Sequence, residues 1–141
     1  MRFMMIMFPG SYDNVPPDDE LANDEHIKAM GKFNEALRQA GVLLAVDGLR
    51  PPSAGARVSF RSGKPAVLDG PFAESKEIVG GYWMIQVKSK EEAIEWARRC
   101  PGRDARFVEL RQVFEMSDFP EDVRKAADNT TVRAAVDPSR R

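Results

Sequence analysis

Two side chains occur once each: the only histidine, His26, able to move a proton near neutral pH, and the only cysteine, Cys100. His26 lies near the start of a predicted helix, where the dipole favours the neutral imidazole. That form suits a general base and a passive boundary residue equally. One cysteine forms no internal disulfide, and with one histidine it falls short of the roughly four ligands of a structural zinc. No metal is therefore expected. A third cluster is the segment Asp69-Gly70-Pro71-Phe72-Ala73-Glu74-Ser75-Lys76-Glu77, followed closely by Tyr82. Its Asp-Gly-Pro head is turn chemistry: Asp bonds its own downstream backbone, Gly permits positive φ and Pro fixes φ. The charges that follow, beside two aromatics, are the kind of group that closes a small-molecule pocket. Asp69, Phe72, Glu74, Lys76 and Tyr82 are thus the candidate ligand-binding residues. With no P-loop, dinucleotide fingerprint or nucleophile elbow in the chain, no cofactor is expected.

The elements that must position these residues follow from hydrophobic periodicity. Phe3 to Phe8 is apolar at every position, the pattern of a strand covered on both faces. A helix is predicted from about Asp24 to Ala40, capped by Asn23 or Asp24 and closed by Gly41. His26, Met30, Phe33 and Leu37 share its apolar stripe. Val42 to Val46 reads as a second strand and Arg57 to Leu68 as a hairpin turning at Ser62-Gly63-Lys64. Val79 to Val87 is a further strand with apolar residues on both faces, Tyr82 lying opposite Trp83. Ser89 and Glu92 have capping-box spacing for a second helix, which buries Ala93, Ile94 and Ala97. Arg106 to Met116 alternates and is the last strand, with Trp83 and Trp96 read as packing residues. The folded domain is placed at residues 1–117, and 118–141 is a polar tail, partly helical or disordered.

The order β-α-β, hairpin, β-α-β is that of a split βαβ unit, whose first and third main strands form the central pair. Those two strands are the ones apolar on both faces. Helices can cover one face of a four-stranded antiparallel sheet, so the other calls for an apolar partner, and a second copy of the chain is the simplest. A homodimer is expected. The 21 basic and 22 acidic residues nearly cancel, which gives no electrostatic pull toward nucleic acid or anionic lipid. The apolar run near the N-terminus is shorter than the roughly 7–15 residues of a secretory leader, and nothing else approaches a membrane span. A cytoplasmic protein is expected.

Asp69 to Glu77 with Gly80-Gly81-Tyr82 resembles the signature of the DGPF branch of YCII-related proteins. Phe33-Asn34-Glu35-Ala36-Leu37, Ala40-Gly41-Val42-Leu43, Gly48-Leu49-Arg50-Pro51-Pro52 and Ala93-Ile94-Glu95-Trp96-Ala97 match in order. The resemblance covers about Met1 to Met116. It implies a ferredoxin-like α+β fold with βαββαβ order and an inserted β-hairpin, assembled as a dimeric α+β barrel. For most of this branch it implies no settled role; some members are associated with extracytoplasmic-function sigma factor genes. Distant relatives include an enzyme that eliminates chloride from a chlorinated hydroxyhydroquinone. The wider family often shows a His in the first helix and an Asp just after the second strand, proposed as a catalytic pair. By this resemblance Met30 takes the usual His position, His26 sits one turn earlier on the same face, and Asp47 stands in for the acid. The expected function is therefore small-molecule binding beside the Asp69–Glu77 loop. The alternative is cofactor-independent proton transfer or elimination on a small phenolic substrate by His26 and Asp47.

Overall fold

In the computed structural model, residues 1–10, 24–70, 77–102 and 105–127 are described. Strand β1 (Arg2–Pro9) lies between β5 (Gly81–Gln86) and β6 (Ala105–Gln112), and β2 (Leu43–Gly48) closes the far edge. All pairings are antiparallel, in the order β2-β5-β1-β6. The two strands that read as apolar on both faces are thus the inner pair. Helix α1 (Glu25–Gln39) joins β1 to β2, and α2 (Lys90–Arg98) joins β5 to β6. The hairpin β3 (Ala56–Ser59) and β4 (Ala66–Asp69) forms a separate two-stranded sheet between β2 and β5. Without the hairpin the order is ferredoxin-like βαββαβ, and the fold is α+β.

Register assigns the two sheet faces. Met5 stands opposite Trp83 and Leu110, and Phe3 opposite Ile85, so these residues share a side. On that side Phe3, Met5, Trp83, Ile85 and Val87 pack with Phe33 and Leu37 of α1 and Ala93 and Trp96 of α2 to make the core. Met5, Leu37 and Ile85 are fully enclosed. The opposite side carries Met4, Ile6 and Phe8 of β1, Tyr82 and Met84 of β5, Phe107 and Glu109 of β6, and Asp47 of β2. There Met4, Ile6, Phe8, Tyr82 and Met84 are only half-covered, and Phe107 is exposed. The continuous apolar pattern of β1 is satisfied by helices on one side alone.

Local signals account for the helix ends. The Asp24 carboxylate accepts from the N–H groups of His26 (2.8 Å) and Ile27 (3.1 Å), satisfying two donors left free by helix geometry. Gly41 follows the helix at φ 72°, the left-handed position expected for it. At α2, Ser89 Oγ accepts from the Glu92 N–H at 3.1 Å, while Glu92 returns to the N–H of Lys88 instead of that of Ser89. The box is one residue wider than its sequence spacing suggests.

Strand β6 stops at Gln112, four residues short of the end its alternation predicts. The cause is the partner: Gln112 pairs with Phe3, and β1 has only Arg2 and Met1 beyond it. Val113 donates to the Arg2 carbonyl, and the chain then leaves the ladder. Phe114, which the alternation puts on the apolar face with Val108 and Leu110, is 72% exposed and packs on Phe119. Arg2 and Glu115 form a two-bond ion pair at 2.7 and 3.1 Å that fastens this segment to β1. That contact holds the Glu115 carboxyl below its usual range, so its modest support is present at neutral pH and fades as acid protonates it. Past Pro120, α3 (Glu121–Ala127) carries a Glu121–Lys125 ion pair at 2.7 Å. The tail from 128 onward lies outside the described residues.

Candidate functional site

Asp47 and Tyr82 are cross-strand partners on β2 and β5. They lie on the sheet side away from the helices, and Tyr82 Oη donates to Asp47 Oδ2 at 2.7 Å. The pairing follows from register: a shift between Leu43 and Ala45 sets Asp47 beside Tyr82 and Val46 beside Trp83. A regular β2 would have turned the carboxylate toward the helices. Among the described residues Asp47 Oδ1 has no partner, so the carboxylate can accept a further hydrogen bond. Gly80 and Gly81 precede the tyrosine where the backbone closes in, with a Cβ at Gly81 3.0 Å from the Asp47 carbonyl.

The other candidates are distributed around the same end of the sheet. Strand β2 runs parallel to β1, so Asp47 and the start of α1 share one rim. Their faces differ, however. His26 lies on the α1 stripe with Phe33, whose ring meets Trp83 edge-on at 5.5 Å, whereas Tyr82 points to the other side. His26 is half-buried, and among the described residues its ring makes no hydrogen bond. The structure therefore joins Asp47 to Tyr82 and does not join it to His26. Asp69 ends β4, exposed and paired with Ala56. Phe72, Glu74 and Lys76 lie outside the described residues. What spacing missed is the Tyr–Asp bond itself; each residue was a candidate, but the β2 irregularity that joins them has no sequence signal.

Gly70 is constrained in a different way from the one its sequence context suggests. Gly70 does not sit at positive φ; among the described residues only Gly41 and Gly63 do. Instead a Cβ on Gly70 would lie 1.8 Å from the carbonyl oxygen of Pro52, in the 3-10 turn Pro52–Ala54. The Gly70 N–H donates to the Gly55 carbonyl at 3.1 Å, closing the hairpin base at that crossing.

Cys100 is half-buried in an apolar cleft of about 400 Å³ between α2 and β6, with Ile94, Ala97, Val108 and Leu110. Burial pushes its thiol up to about 11, which removes the thiolate at neutral pH and with it nucleophilic character. The expected result is slow alkylation by iodoacetamide at pH 7, followed by mass spectrometry, with reaction accelerating only in strong alkali. Labelling at the rate of an exposed free thiol would contradict this burial. No group of three or more metal-ligating side chains occurs among the described residues, and no described helix is long and apolar enough to cross a membrane.

The family model for the YCII-related domain matches residues 1–117, and the chain belongs to that family. An uncharacterised protein of Rhizobium meliloti (strain 1021) is 42% identical over 60 residues, which is 43% of this chain. That match spans 48% of the relative's length, about half of it. Among solved structures, 5-chloro-2-hydroxyhydroquinone dehydrochlorinase from Burkholderia phenoliruptrix AC1100, in complex with 2,5-dihydroxybenzoquinone, aligns over 85% of this chain and 100% of its own. The TM-score is 0.44 at 10% identity.

Proposed function

We propose that this YCII-related chain, of the DGPF branch, is a cytoplasmic homodimer that binds a small molecule at the sheet rim formed by Asp47, Tyr82 and the loop after Asp69. The observation that carries the reading is the 2.7 Å bond from Tyr82 to Asp47 on the uncovered side of the sheet. It fixes an oriented acceptor, Asp47 Oδ1, beside an aromatic ring in an exposed position. A ligand with a hydroxyl or amine donor on a flat ring matches both features. The loop residues Phe72, Glu74 and Lys76 enter the proposal by their place in the chain, between Asp69 and Tyr82. The dimer rests on the half-covered side chains of Met4, Ile6, Phe8 and Met84 beside that rim, which a second sheet would bury.

The reading is tested by calorimetric titration of a panel of phenols, dihydroxybenzenes and aromatic amines into the intact protein. At least one should bind. Asp47→Asn should weaken that binding by about 10–100-fold, since a hydrogen bond to a charged group contributes about 1.5–3 kcal/mol. Tyr82→Phe should weaken it less, through loss of carboxylate orientation. Equal affinity of Asp47→Asn and unaltered protein would remove the site.

The enzyme alternative survives in altered form, because the phenol and carboxylate of Tyr82 and Asp47 are also a proton-transfer pair. His26, across the sheet, has no part in it. Turnover of any bound ligand, lost in Asp47→Asn, is the outcome that would favour it.

A further inference from the structure

The hairpin β3–β4 has no obvious reason to be stable within one chain. A two-stranded hairpin is marginal in water unless one face is packed. Here Val58 pairs with Val67, and with Phe60 beyond them they form one apolar side of the arm. Val58 is 51% exposed, Phe60 68% and Val67 68%. Neither strand pairs with the main sheet. Among the described residues, Gly70 donates to Gly55 across the base of the arm, and Leu49 donates to the Gly80 carbonyl below it. An arm with a wet apolar side is the form of an interaction element.

We propose that this hairpin docks on a second copy of the chain, extending the sheet-face interface. Surface area supports a second copy as the occupant. An aromatic side chain offers about 150–250 Å² and an aliphatic one somewhat less, so the apolar side of the arm leaves roughly 300–400 Å² wet. The half-covered Met4, Ile6, Phe8 and Met84 with the exposed Phe107 leave a further area of roughly 150–400 Å² on the open sheet face. A stable interface removes about 800 Å² per partner, which neither surface reaches alone and the two together approach. A two-fold axis uses both surfaces twice, so each arm meets its partner once.

Sedimentation of the intact protein across micromolar concentrations tests this. The unaltered chain should run near twice 15.8 kDa. Phe60→Asp, at an exposed position, should keep the circular dichroism of the dilute chain and raise the dimer dissociation constant by about 100-fold or more, as loss of a paired aromatic anchor does. Hydrogen exchange on the unaltered protein supplies a readout free of mutation. Amides between Ala56 and Asp69 should gain protection as the dimer forms. Hairpin amides that exchange alike in monomer and dimer would overturn the proposal, as would a chain that stays monomeric throughout. A dimer broken by Met84→Asp but untouched by Phe60→Asp would also overturn the arm's role, while leaving the sheet-face dimer and the rim site standing.

Discussion

Replacing Trp83 by Ala should lower stability by about 3–5 kcal/mol, the range for truncating a buried aromatic. Trp83 is 4% exposed at the centre of the helix-covered face. Its ring meets Phe33 edge-on at 5.5 Å, and its Nε1–H donates to Asn34 Oδ1 at 2.7 Å. Truncation opens a cavity under α1 and strands the Asn34 carbonyl at once. For a chain of this length the loss corresponds to a fall in Tm of about 10–20 °C, measurable by calorimetry. Trp83→Phe separates the two contributions. It keeps most of the packing and should cost about 1–3 kcal/mol, with the orphaned amide as the main term. If Trp83→Ala unfolds within a few degrees of the unaltered protein, α1 does not depend on this contact and the core is placed wrongly.

The second large effect is local. Gly70→Ala should free the hairpin from the body of the domain without unfolding the main sheet. A Cβ there would stand 1.8 Å from the Pro52 carbonyl oxygen and 2.5 Å from its carbon, inside the backbone of a turn with no side chain to yield. Overpacking of this kind typically costs about 1–3 kcal/mol and here has to be relieved by separating the two crossing segments. The bond from Gly70 to Gly55 would then be lost, and with it the closure of the hairpin base. Hydrogen exchange of β3 and β4 should rise at least about tenfold while the amides of β1 and β5 keep their protection. Ligand binding at the neighbouring rim should weaken too. Unchanged exchange in the hairpin would mean that the turn and Gly70 are not in contact.

The fold was legible because burial writes itself into periodicity. Phe3 to Phe8 and Val79 to Val87, apolar on both faces, are the inner strands; Asp24 and Gly41 bound α1 as capping chemistry requires. The end of β6 was less legible, since its own alternation continues to Met116 while the limit is set by how far β1 reaches. Strand length is a property of the pair. The site was half legible for a related reason. Residue types singled out Asp47, Tyr82 and His26, but their faces depend on a register shift in β2 that no residue of that strand announces. One residue of slip exchanges the two sides of a sheet, which is the difference between Asp47 facing α1 and Asp47 bonding Tyr82. Gly70 likewise drew attention as a turn residue, yet the constraint on it is a segment eighteen positions earlier in the chain.

The central claim, that the site lies on the uncovered side of the sheet around Tyr82 and Asp47, is tested most directly by amide NMR. A ¹⁵N-labelled sample is titrated with the best binder from the phenol and amine panel, and the shifted resonances are mapped along the chain. The account predicts perturbations at Asp47, Gly48, Asp69, Gly70 and the run from Glu77 to Tyr82, with His26, Met30 and Cys100 unmoved. Shifts concentrated on His26 and the first turns of α1, with Asp47 and Tyr82 silent, would contradict it and place the site under the helices.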